Sequence, residues 1–186
     1  MSQEEGAKKL PPPFFLPFRT AEGAVRSNAR GFSLIELLIV VAIILIIAAI
    51  AIPNLLKSRM AANESSAAAN TKTMGTALAT YTSVYGNCGY PDSLTRLGPG
   101  PAPTPTTAGL LDAVMANDTF MKQGYTYTYV LTNGVGDCAG APGSDFEIEA
   151  KPSVPSKTGV RGFFMDSSMV IRADTDGDAD IGSPAI

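Results

Sequence analysis

From Leu37 to Ile52 the chain reads LLIVVAIILIIAAIAI, sixteen residues without a polar side chain, and counting back to Phe32 gives 21 residues interrupted only by Ser33 and Glu36. At about 1.5 Å of rise per residue, 21 helical residues reach roughly 31 Å, which matches a bilayer hydrocarbon core of about 30 Å. A helix that is apolar on every face needs apolar surroundings on every side. The rest of a 186-residue chain is too short to supply them. The segment is therefore read as membrane-spanning and not as the core helix of a large soluble domain.

Composition narrows what the remainder can do. Fourteen Lys and Arg stand against 17 Asp and Glu, a formal net charge of −3, and only 17% of residues are charged, a poor basis for binding nucleic acid through its phosphates. No nucleic-acid site is expected. There is no histidine, which excludes Ser-His-Asp and Cys-His catalysis and any metal site that needs imidazole. The chain is expected not to be an enzyme. Charge is unevenly spread: residues 1–31 carry Lys8, Lys9, Arg19, Arg26 and Arg30 against Glu4, Glu5 and Glu22, while residues 32–186 hold nine bases and fourteen acids. A basic leader before an apolar run suits a cytoplasmic N-terminus, although Lys57 and Arg59 sit on the far flank. The leader has no apolar stretch of its own, so it is not an ordinary secretory signal.

The junction reads Arg30-Gly31-Phe32-Ser33-Leu34-Ile35-Glu36-Leu37-Leu38. RGFSLIELL, followed by an unbroken apolar run ending at Pro53, resembles the processing site of type IV prepilins and of the related pseudopilins of type II secretion. The resemblance covers residues 30 to about 60 closely and the remainder only in layout. It implies removal of a leader, residues 1–31, by a prepilin peptidase that cuts after Gly31, and N-methylation of Phe32. A start at Val25 would leave VRSNARG, a compact seven-residue leader. The resemblance also implies an assembly role for Glu36 and for Pro53.

Physical reasoning bears on Glu36 independently. A carboxylate inside an apolar span costs about 2.5–3.5 kcal/mol at mid-helix, so it is rarely kept without a partner. Cleavage would create one, the new amine of Phe32 in the same or an adjacent subunit. The alternative is a carboxylate solvated at the headgroup level.

Beyond Pro53, which could kink the helix, the helical pattern continues to Tyr85: the stretch is rich in alanine, and Met60, Ala67, Met74, Leu78, Tyr81 and Tyr85 fall on one stripe. Gly86 is the expected left-handed stop. A Pro-rich loop follows at 98–107, then a brief helix over Leu110, Leu111, Val114 and Met115. Strands are expected at Tyr125–Leu131, at Phe146–Glu149, and at Phe163–Asp166 and Met169–Arg172 around a Ser-Ser turn. The alternating tyrosines Tyr125, Tyr127 and Tyr129 read as cross-strand packing with wet hydroxyls, or as a ligand-stacking or charge-carrying platform.

Facing an oxidising compartment, Cys88 and Cys138 are expected to pair and not to remain two free thiols; a loop of about 50 residues closed in this way contributes about 4 kcal/mol in the chain-entropy picture. Asp174, Asp176, Asp178 and Asp180 alternate as calcium-loop ligands do, but Ala179 stands where a glycine is wanted and no bidentate Glu follows. A solvated acidic tail is expected in preference to a calcium site, and no cofactor is assigned.

These readings combine into an α+β chain in which a long N-terminal helix packs on a small antiparallel sheet of about four strands. Residues 32–52 are the transmembrane and assembly segment, 53–86 its amphipathic continuation, and 87–186 a globular sheet domain with variable loops. The resemblance implies a homo-oligomeric helical filament, an inner-membrane precursor and an assembly machinery as partners. A periplasmic pseudopilus and a tethered domain that never polymerises are the alternatives.

Overall fold

The computed structural model describes residues 31–136, 138 and 142–186. Apart from Gly31, the expected leader lies outside the described residues. The chain divides into two units, residues 1–42 and Ile43–Ile186. In the first, Gly31 to Ser33 are non-helical and helix α1 (Leu34–Val84, 51 residues) begins.

In the second unit α1 continues, and its helical assignment runs through Pro53, so the local melting that a proline invites is not seen. Its buried residues are Ala67, Thr71, Met74, Gly75, Ala77, Leu78 and Tyr81. Spacings of three and four put these on one face, as the sequence stripe requires. Thr71 fits because its hydroxyl returns to the Ala67 carbonyl at 3.0 Å, so no polar group is left bare in the core.

That face meets a five-stranded antiparallel meander in the order β1-β2-β3-β4-β5: β1 (Thr119–Lys122), β2 (Tyr125–Asn133), β3 (Asp145–Pro152), β4 (Gly162–Asp166) and β5 (Ile171–Asp174). Inward residues alternate along β2 and β3, giving Tyr125, Tyr127 and Tyr129 beside Phe146, Ile148 and Ala150. They share one core with Met74, Leu78 and Tyr81 of the helix.

Several expectations are corrected. Five strands replace about four, because Thr119–Lys122 pairs with β2 across a two-residue turn in which Gln123 and Gly124 both have positive φ. The brief helix at 110–115 is a turn, in which Asp112 Oδ1 accepts from the Val114 and Met115 amides at 2.9 and 2.8 Å. The short helix lies upstream at Leu94–Leu97, a 3-10 turn capped by Ser93. The final strand starts at Ile171 and not Met169, since Met169 has φ 61° and closes the turn on the Asp166 carbonyl. The left-handed residue after α1 is Gly89, φ 61°, and not Gly86. A side chain on Gly89 would run into the Gly143 backbone, which passes close enough to exchange hydrogen bonds with Cys88 and Tyr90.

The free edge of β5 is closed by the chain itself. Ala173 donates to the Pro184 carbonyl and Ile186 to the Ile171 carbonyl, both at 3.0 Å. This protects a sheet edge that would otherwise template further pairing.

Candidate assembly helix and its N-terminal junction

Gly31 has open space where a Cβ would stand, and Phe32 is 84% exposed. Ser33 then caps α1: its carbonyl accepts from Leu37 at 3.2 Å, and its own amide donates to Glu36 Oε2 at 2.9 Å. This is half of a capping box, in which the third helical residue reaches back to the cap and satisfies an amide the helix cannot. The Ser-x-x-Glu spacing before an apolar run is a local sequence signal for that geometry. Glu36 also lies in the first turn, where the helix dipole favours an anion. Among the described residues no ion pair involves Glu36.

Beyond it, the large apolar side chains between Leu34 and Ile52 are 46–79% exposed. An 18-residue window of this helix has mean hydropathy 3.3 with no residue buried. The segment is long and apolar enough to cross a membrane, and nothing in the fold of the second unit covers its Ile43–Ile52 portion. Pro53 follows directly.

Cys88 and Cys138 are joined in a disulfide, with Cys88 buried and Cys138 exposed. The bridge ties the exit of α1 to the loop between β2 and β3.

Further along α1, Glu64 receives the Val160 amide at 2.8 Å and Arg161 Nε at 2.9 Å. Burial raises its pKa, but the Val160 amide and the Arg161 guanidinium and amide outweigh burial and hold it below the usual carboxylate range. Nothing local in the sequence foretold this latch, whose partners lie 97 residues apart.

The hydroxyls of Tyr81, Tyr125, Tyr127 and Tyr129 have protein partners. Tyr125 donates to the Arg161 carbonyl at 2.7 Å, Tyr129 to that of Pro91 at 2.6 Å, and Tyr81 to that of Pro105 at 2.7 Å; Tyr127 accepts from Asn70 at 3.0 Å. Burial pushes the phenols of Tyr125, Tyr127 and Tyr129 up. These tyrosines are core residues with anchored tips.

The acidic loop is locally satisfied. Asp174 accepts from the Thr175 amide at 2.6 Å, Asp176 from the Asp178 amide at 2.9 Å, and Asp180 from the Gly182 amide at 2.8 Å. Asp178 pairs with Lys151 at 2.8 Å, and that ammonium also meets Glu149 at 2.9 Å. Among the described residues no group of three or more acidic or cysteine side chains is gathered to hold a metal.

Residues 26–52 match the family model described as the prokaryotic N-terminal methylation motif. The chain is 34% identical over 121 residues to the type IV major pilin protein PilA of Myxococcus xanthus, covering 65% of this chain and 45% of that one. It is 68% identical over 37 residues to the type IV wide pilus major component PilA4 of Thermus thermophilus, covering 20% and 28% respectively. The chain thus spans less than half the length of these curated relatives. No solved structure matches it significantly.

Proposed function

We propose that this chain, a member of the type IV pilin superfamily by its N-terminal motif, its fold and its relatives, is a structural subunit of a helical cell-surface filament and not an enzyme. The observation that carries the reading is the apolar run to Ile52, exposed on all faces and opened by the methylation motif. Such a surface must be covered twice over, by lipid while the subunit is stored in the inner membrane and by neighbouring helices once it is assembled. A prepilin peptidase removes the leader after Gly31 and methylates Phe32. Glu36 then meets the Phe32 amine of its own or an adjoining subunit, which offsets the cost of a carboxylate in the apolar layer. Pro53 leaves the Ala49 carbonyl without its helical donor, a point where the helix can yield as it leaves the membrane. Identical subunits stack head to tail through a heterologous contact whose rotation does not close into a ring, which gives an open helix.

One relative is named as a type IV major pilin and the other as a type IV wide pilus major component, which favours a surface filament over a periplasmic pseudopilus. This reading gives the chain no cofactor. The acidic loop has a solvated structural role, supported by its Asx turns and the Lys151 pairs.

Intact mass of subunits recovered from sheared surface fibres is expected to correspond to a chain starting at a methylated Phe32. A species starting at Met1 in the fibres would overturn the processing. Glu36→Ala is expected to insert into membranes normally and to lower fibre yield by about tenfold or more. Normal yield by electron microscopy would remove the assigned role.

A further inference from the structure

In the second unit a concave site of about 540 Å³ opens beside α1 just beyond the apolar run, lined from three separate segments by Leu56, Arg59 and Asn63 of the helix, Gln123 and Gly124 of the β1–β2 turn, and Lys157 and Thr158. Its two charged groups are both cations, and among the described residues no carboxylate lines it. Arg59 and Lys157 are exposed, and neither makes an ion pair among the described residues. The walls are held in place: Asn63 Nδ2 donates to the Thr158 carbonyl at 2.8 Å, and Gln123 Oε1 accepts from Asn70 at 2.9 Å. The rim backbone is unusual. Gln123 and Ser156, neither a glycine, sit at φ 52° and 62°, conformations that cost energy and persist where the surroundings require them.

Height along the helix indicates what would fill the site. Leu56 and Arg59 lie four and seven residues past Ile52, about 6 and 10 Å above the end of the apolar run. The headgroup layer occupies roughly 5–8 Å on each side of the hydrocarbon. Long basic side chains reach down several ångströms from such positions to meet phosphates. Leu56 at the lower lip is 70% exposed and offers a surface for the first carbons of an acyl chain.

We propose that this site binds the headgroup of an anionic phospholipid, its phosphate between Arg59 and Lys157 and its polar head against the Gln123 side chain. The proposal rests on the membrane storage in the reading above. It adds that the stored subunit is held at a defined depth and rotation by a specific lipid contact, which is broken when the subunit is extracted.

The test uses the full chain, isotope-labelled in maltoside micelles and titrated with dihexanoyl phosphatidylglycerol, dihexanoyl phosphatidylcholine and inorganic phosphate while the amide resonances of Gly124 and Thr158 are followed. Saturable shifts with phosphatidylglycerol are expected, with much weaker ones from the other two. Affinity should fall about fivefold for each cation removed in Arg59→Gln and Lys157→Gln, and Lys72→Gln, elsewhere on the helix, should leave it unchanged. Equal response to phosphatidylcholine, equal response to inorganic phosphate, or full binding by the double variant would each overturn the proposal. Should the double variant bind lipid normally yet form few fibres, the two cations would instead contact an acidic surface of a second copy. Failure of the lipid test with normal fibres removes this inference alone, whereas a chain that does not partition into membranes removes the reading on which it rests.

Discussion

Glu36 and Glu64 lie on the same helix and serve opposite ends of the folding problem. Glu36 was legible because a lone carboxylate in an apolar run needs a reason, and the run itself supplies the contrast. Glu64 stands in a polar, alanine-rich stretch where a glutamate is unremarkable, and only the fold brings Val160 and Arg161 to it. Its latch holds the loop before β4 against the helix. Because its folded pKa lies below the ordinary value of 4.5, the stabilisation is fully present above that value and is lost as pH falls through the folded pKa. Glu64→Gln is expected to cost about 1–2 kcal/mol at pH 7, with Arg161 half exposed and its share screened. Urea melts at pH 7 and at about pH 3 should show the gap between wild type and variant closing in acid. A gap of equal size at both would mean that the charge contributes nothing.

At the scale of elements, periodicity carried the long helix and the longer strands, and failed where an element is defined by its neighbour. Of the stripe Met60, Ala67, Met74, Leu78, Tyr81 and Tyr85, the middle four are buried as their spacing demands, whereas Tyr85 is half-buried at the margin of the core and Met60 half-buried outside it. β1 has four residues, too few for alternation to register, and exists because the Gln123-Gly124 turn folds it onto β2. β5 begins late because Met169 and Val170 are spent on the turn. The pairing of Cys88 with Cys138 was within reach of sequence, there being only two cysteines, whereas the glycine contact beside it at Gly89 and Gly143 was not. That contact gives the bridge a closely packed setting on the Cys88 side. Closing a loop across a separation of 50 residues, the disulfide should contribute about 2–4 kcal/mol. Cys138 is exposed, which gives reductant access to the bridge. Mild reduction is therefore expected to lower the melting temperature by several degrees while far-ultraviolet dichroism at room temperature stays unchanged. An unaltered melt after complete thiol labelling would show that the bridge stabilises nothing.

At the scale of the molecule, the decisive asymmetry is that among the described residues the buried core begins at Ala67, and no residue from Phe32 to Arg59 is buried. The Ile43–Ile52 portion of the run therefore contributes no core to the second unit, and removal of the run should leave the packing of helix on sheet intact. A fragment of residues 54–186 retains the full core, the Glu64 latch and the disulfide. With nine bases against thirteen acids it has a net negative charge suited to solubility. It is expected to be a soluble monomer that melts cooperatively within about 1 kcal/mol of the longer chain, measured by dichroism and sedimentation. Aggregation or loss of cooperative melting would mean that the first half of α1 supports the fold. The same fragment, lacking Phe32, Glu36 and the apolar surface, should neither form fibres nor reduce fibre formation when mixed with intact subunits. Incorporation of the fragment into fibres would show that subunits recognise one another through the sheet domain, and would take the assembly role away from the N-terminal helix.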